Sequence, residues 1–142
     1  MRLERVIYIS ECRIDVAELK AAMAKLVTDA RSRNAELAVS GALLFTGTHF
    51  VQILEGPPSS IALILSALRK DPRHSNIFIA ARHSISARIF SGWQMAYHGP
   101  SQYVARHVKR LLQNGSVADQ RRSTERLIQL VMEFLSAPHT HS

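Results

Sequence analysis

Residues 40–56, SGALLFTGTHFVQILEG, read as two strands and the turn that joins them. Ala42, Leu43, Leu44 and Phe45 make one apolar run, Gly47-Thr48 supplies the turn, and Phe50, Val51, Ile53 and Leu54 make the second run before Gly56-Pro57-Pro58 ends it. A hairpin this apolar belongs in the interior. Gln52 breaks the pattern by placing a carboxamide in the middle of a buried strand. A buried amide without partners costs about 1–3 kcal/mol, so Gln52 is bonded to another side chain, to the sheet backbone or water, or is aimed at a ligand.

On the N-terminal side, residues 3–10 (LERVIYIS) form a first strand, with Val6, Tyr8 and Ser10 on one face and Ile7 and Ile9 on the other. Asp15 reads as an N-cap with Glu18 at the third helical position, and Ile14 and Leu19 stand where a hydrophobic staple needs them. The helix that follows carries Val16, Leu19, Met23, Leu26, Val27 and Ala30 at helical spacing and is expected to end around Arg33-Asn34. After the hairpin, Pro57-Pro58-Ser59-Ser60 starts a second helix with Ile61, Ile64, Leu65 and Leu68 on one stripe, and Asp71-Pro72 stops it. Residues 76–85 read as a fourth strand, and 92–97 (GWQMAY) as a short fifth with Trp93 and Met95 on one face.

This order predicts an α+β fold, a ferredoxin-like βαββαβ sandwich with a fifth strand, in which the first and third strands lie side by side. Tyr8 and Gln52 then become neighbours. Beyond Gly99 two amphipathic helices are expected, one with Tyr103, Val104, His107, Val108, Leu111 and Leu112, the other with Leu127, Ile128, Leu130, Val131, Phe134 and Leu135. They read as C-terminal helices capping the sheet face that the first two helices leave bare.

The 142 residues suit one domain with a single core. No apolar run approaches the roughly 20 residues that span a bilayer, and charges stand where a signal peptide has its apolar centre, so the expected location is cytoplasmic. Cys12 is the single cysteine and the histidines are scattered, which predicts neither a disulfide nor a metal site. A net charge of +7 suggests an acidic partner or a phosphorylated cofactor, although the basic residues are spread as on a solvated surface.

Taken together, Tyr8 in YIS, Asn34 ahead of a loop, SGALLF, FVQILEG, DPRHSN (71–76) and RIFSGWQM (88–95) resemble the BLUF domain, a blue-light sensor that binds flavin. The resemblance covers residues 1–98, with 99–142 as a helical cap of the same domain. It implies that Tyr8 matches the tyrosine that donates an electron to the photoexcited flavin, and Gln52 the glutamine between that tyrosine and the ring. Asn34 and Asp71 match residues that hydrogen-bond the pyrimidine end of the flavin, and Trp93 and Met95 match the tryptophan and methionine of the fifth strand that alternate near the glutamine; both are expected to relay the signal from Gln52 toward the C-terminal helices. Arg33 stands where relatives carry His, Asn or Arg, and Ala67 where some carry Arg.

The resemblance further implies FAD, or FMN, held non-covalently between the two helices over Tyr8 and Gln52, with apolar walls from Leu26, Val27, Ile64 and Leu65. A carboxamide carries both donors and acceptors, so its hydrogen bonds can be redrawn. Since nothing is consumed, the reading is of a sensor and not of an enzyme, with output to a separate effector protein or through homo-oligomers. Two other readings remain at this level. An RNA-binding module of the RRM type shares the strand and helix order, but the third strand lacks its basic-glycine-aromatic pattern, so nucleic acid is disfavoured as a partner; the other is a light-indifferent scaffold of the same fold.

Overall fold

A computed structural model describes residues 2–90 and 96–98 and, further on, positions 106, 108, 109, 122, 125, 126, 128 and 129. The elements run β1 (Leu3–Cys12), a 3-10 turn (Val16–Glu18), α1 (Leu19–Glu36), β2 (Ser40–Phe45), β3 (His49–Gly56), α2 (Pro58–Arg69), β4 (His74–Ile85) and β5 (Ala96–His98). The first four strands pair antiparallel in the order β4-β1-β3-β2, and β5 lies parallel to β2 beyond it. The βαββαβ order of an α+β fold is therefore present.

The hairpin forms as its residues dictate. Thr46 donates its backbone N–H to the His49 carbonyl at 3.0 Å, and Gly47 supplies the turn's positive φ of 107°. Gly41 is required for a different reason, since a Cβ there would stand 2.0 Å from the Ile53 carbonyl oxygen. The β2–β3 ladder closes at that point only because no side chain intervenes.

Strand alternation divides the core into two layers. Val6, Tyr8, Leu43, Phe45, Phe50 and Leu54 face α1 and α2, where they meet Met23, Val27, Ala30, Ile61, Ile64, Leu65 and Leu68. Ile7, Ile9, Ala42, Leu44, Val51 and Ile53 face the other way and bury Phe90 and Val108, with Ile128 packed against them. Each buried side chain of this size contributes about 1.5–3 kcal/mol, and the sheet is stabilised from both sides.

Helix boundaries differ from expectation. Asp15 makes no side-chain cap; Glu18 N–H donates to the Asp15 carbonyl at 2.9 Å, and this tight backbone turn replaces the expected capping box. Val16 accordingly points outward, 88% exposed, and does not join the apolar stripe. At the other end α1 runs on to Glu36, past Arg33-Asn34, and the left-handed residue that turns the chain is Ala38, with φ 58°. Asn34 stays helical, its carbonyl accepting from Val39 N–H at 2.8 Å.

β4 is the outer strand next to β1 and is twelve residues long, starting at His74 and not at Asn76. Its register with β1 shifts between Ile7 and Tyr8 and again between Ile9 and Glu11. β5 begins at Ala96, so Trp93 and Met95 lie outside the described residues, as do most positions of the two expected C-terminal helices. The described positions of that region are helical.

Candidate functional site

The central rung of the β1–β3 ladder sets Tyr8 opposite Gln52. Side chains paired in this way start about 4.5–5.5 Å apart at Cβ, and strand parity aims both at the helices. Tyr8 is 1% exposed and Gln52 3%. Above them opens a cleft that is partly continuous with solvent. Its floor is Tyr8, Leu43, Phe50 and Gln52; α1 contributes Leu26, Asp29, Ala30 and Arg33; and the end of α2 with the start of β4 contributes Leu68, Asp71, Arg73 and His74.

Four of the five expected binding residues, Tyr8, Arg33, Gln52 and Asp71, line this cleft together. Asn34 is fully buried in the last turn of α1, next to Arg33 in sequence but not among the lining residues. Of the expected walls only Leu26 lines the cleft, because Val27, Ile64 and Leu65 point into the core between helices and sheet; Leu43, Phe50 and Leu68 take their place.

Burial governs the electrostatics. It raises the Tyr8 hydroxyl pKa far above the ordinary phenol value, the nearby Arg33 charge opposing and Asp71 reinforcing the shift, so Tyr8 is held protonated. Burial likewise lowers the Arg33 pKa, against the favourable influence of Tyr8 and Asp71. The Nε of Arg33 is a buried donor without a hydrogen-bond partner, an arrangement that native proteins seldom tolerate unless a further group meets it. For Asp71, burial alone would raise the pKa, but the hydrogen bonds and charge of Arg73 outweigh it and hold the carboxylate below its usual range. Arg73 grips both Asp71 oxygens, the shortest contact being Nη2 to Oδ2 at 2.7 Å, and lies 3.6 Å from Asp29 of α1.

Three polar cleft residues, Asp29, Arg73 and His74, were not singled out as site residues from the sequence. Arg73 and His74 stand inside the DPRHSN stretch, and Ser10, on the face of Tyr8 but not among the lining residues, is bonded to His74. His74 joins β1 to α2: its Nδ1 lies 2.7 Å from Ser10 Oγ and its Nε2 2.7 Å from the Leu68 carbonyl. A carbonyl only accepts, so Nε2 carries the hydrogen, and in the neutral ring Nδ1 accepts from the Ser10 hydroxyl. The ring also meets Tyr8 and Phe50 edge-on, at centroid distances of 6.4 and 6.2 Å.

Residues 3–96 match the family of sensors of blue light using FAD. The chain belongs to the BLUF family. A similar curated relative is the blue light- and temperature-regulated antirepressor BluF of Escherichia coli K12, 43% identical over 75 residues that make up 53% of this chain and 18% of that protein. The chain thus matches less than a fifth of that relative's length. Among solved structures, the dark state of the BLUF protein BlrB superposes with a TM-score of 0.74 at 30% identity, covering 91% of this chain and 96% of BlrB. BlrP1 of Klebsiella pneumoniae, solved with FMN and cyclic diGMP, gives 0.63 at 27% identity, with 94% of this chain and 34% of BlrP1 covered.

The cleft fits the flavin that BLUF domains bind. An aromatic ring system with polar edges needs apolar walls and a few convergent polar groups, and the cleft combines Leu26, Leu43, Phe50 and Leu68 with Gln52, Asp71 and the unmet Nε of Arg33. No helix among the described residues is long and apolar enough to cross a membrane.

Proposed function

We propose that this chain is a blue-light photoreceptor that holds FAD, with FMN as the alternative, non-covalently in the cleft, and passes its signal to a separate effector protein or to another copy of itself. The observation that carries the reading is the Tyr8–Gln52 rung at the cleft floor, beside a buried Arg33 donor without a partner. When bound, the flavin supplies the absorption of blue light and, once excited, the demand for an electron. Everything else falls to the chain. Arg33, Asn34, Gln52 and Asp71 are the groups to hold the polar edge, and Leu26, Leu43, Phe50 and Leu68 keep water from the ring.

Tyr8 keeps its proton in the dark because burial disfavours the phenolate. Losing an electron makes a phenol strongly acidic, and Gln52 is the neighbour able to take and return a proton. A carboxamide that rotates or changes tautomer exchanges a donor for an acceptor toward each neighbour, which redraws bonds worth about 0.5–1.5 kcal/mol each. Such a change rebalances two packings without unfolding the domain. In this reading Trp93 and Met95, outside the described residues, relay it to β5 and onward to helices over the far face, where Val108 and Ile128 already pack.

The deciding experiment is an absorption spectrum in darkness and under blue light. A yellow protein with a small, reversible red shift, lost in Tyr8→Phe with flavin retained, supports the reading. A protein that stays colourless after reconstitution with either flavin overturns it.

A further inference from the structure

On the sheet face away from the cleft, Glu55 is fully buried and its carboxylate is fully engaged. Arg5, its partner on the β1–β3 ladder, approaches Oε2 through Nη2 at 2.7 Å and Nε at 2.8 Å. Two consecutive backbone N–H groups complete the set: Ile89 N–H donates to Oε2 at 3.1 Å and Phe90 N–H to Oε1 at 2.8 Å. Successive amides converging on one anion form a nest, and here the anion is a side chain of the central sheet.

Residues 88–90 are pinned twice more. Arg88 donates from Nη1 to Ser40 Oγ and to the Glu55 carbonyl, both at 2.9 Å, and from Nη2 to the Ala38 carbonyl at 2.6 Å. The Phe90 side chain is wholly buried among Ile7, Ile9, Ala42, Leu44, Val51 and Ile53. The connection between β4 and β5 thus begins with a segment held as firmly as a core strand.

The Arg5–Glu55 rung stands three residues along both strands from the Tyr8–Gln52 rung, a separation of about 10 Å at 3.4 Å per residue. A buried ion pair is weak evidence for stability, and in some proteins it selects one arrangement over its competitors. We infer that Glu55, neutralised by Arg5, clamps the amides of Ile89 and Phe90 so that residues 88–90 serve as a fixed pivot, and that this pivot confines the light-driven change to the chain beyond Phe90. Glu55 is then a positioning residue for signal output, remote from the chromophore. The inference rests on the photoreceptor reading.

Residue-resolved hydrogen exchange on the flavin-loaded protein, in dark and light, tests it. In the parent the amides of Ile89 and Phe90 should exchange at rates equal within twofold in both states, while those of Ala96–His98 change at least fivefold. Glu55→Gln should speed exchange at Ile89 and Phe90 at least tenfold in the dark and cut the light-induced change at Ala96–His98 to below one fifth, with the flavin red shift unaltered. Should that variant fail to fold, Arg88→Gln, which leaves no buried charge behind, should at least halve the same light response. Light-dependent exchange at Ile89 or Phe90 in the parent overturns the pivot, as does a full response at Ala96–His98 in any variant whose two amides have been freed. Absence of the red shift in the parent defeats the photoreceptor reading instead, and the dark-state comparison of parent and Glu55→Gln still decides whether the clamp exists.

Discussion

Replacing His74 with Leu removes two 2.7 Å hydrogen bonds and two edge-on ring contacts at once. The Ser10 hydroxyl, fully buried, is then left without its acceptor, at a cost of about 1–3 kcal/mol. The Leu68 carbonyl, in the last turn of α2, loses one donor but keeps the Asp71 N–H at 3.1 Å, so it adds little, and each ring contact contributes about 0.5–1.5 kcal/mol. A total loss of about 3 kcal/mol follows, or roughly 10 °C in Tm for a domain of this size. Ser10→Ala alone strands the His74 Nδ1 acceptor and should cost about 1 kcal/mol. In the double variant neither group is stranded, so its loss should fall short of the sum by about 1–2 kcal/mol. Denaturant unfolding of the four proteins in saturating flavin measures this cycle. Additivity within about 0.5 kcal/mol would show that Ser10 and His74 do not act as a pair, and would refute the tautomer assignment built on them.

Other perturbations have equally definite outcomes. Gln52→Leu should retain flavin but abolish the light-induced spectral shift, and an unchanged light-minus-dark spectrum would remove Gln52 from its role. Gly41→Ala forces a methyl against the Ile53 carbonyl, where a 2.0 Å approach leaves no room; it should lower Tm by more than 10 °C, because backbone and not a flexible side chain must yield, and a shift under 2 °C would refute that. Asp71 has its pKa lowered from 3.8 in the folded state, so its contribution is fully present above that value and is lost as pH falls through the lower folded pKa. Asp71→Asn should therefore flatten the acid limb of the stability profile just below pH 3.8, as followed by thermal melts, while leaving its slope near neutrality unchanged.

Much of the architecture is legible because it rests on local chemistry. The alternation in residues 3–10 places Tyr8 and Ile7 on opposite faces, and the apolar hairpin places Gln52 opposite Tyr8 once β1 and β3 are adjacent. Pro57-Pro58 and Asp71-Pro72 bracket α2 at the bounds observed. The capping box at Asp15 misled because a backbone bond within a 3-10 turn did the same work. The end of α1 was misplaced because Ala38, an ordinary residue in sequence, adopts the left-handed conformation usually given to Gly or Asn. His74 and Glu55 owe their positions to partners 64 and 50 residues away, Ser10 and Arg5, and Arg73, held locally by Asp71, also reaches Asp29, 44 residues away. Polarity alone marked them no more strongly than any solvated residue.

The irregular pairing of β4 has a consequence for how molecules of this protein meet. A twelve-residue strand with no further strand beside it among the described residues is a template on which a second chain can add by backbone hydrogen bonding, the route to edge-to-edge aggregation. Here the two register shifts along β1 break the regular spacing that such a template requires. Near its far end, Arg82 is drawn to Glu4 at 2.9 Å, and the exposed neighbour His83 adds a polar group along the rim. A chain arriving at this edge finds no straight ladder to extend. Edge-to-edge pairing of a second chain is therefore disfavoured along β4, the strand that brings His74 to the cleft.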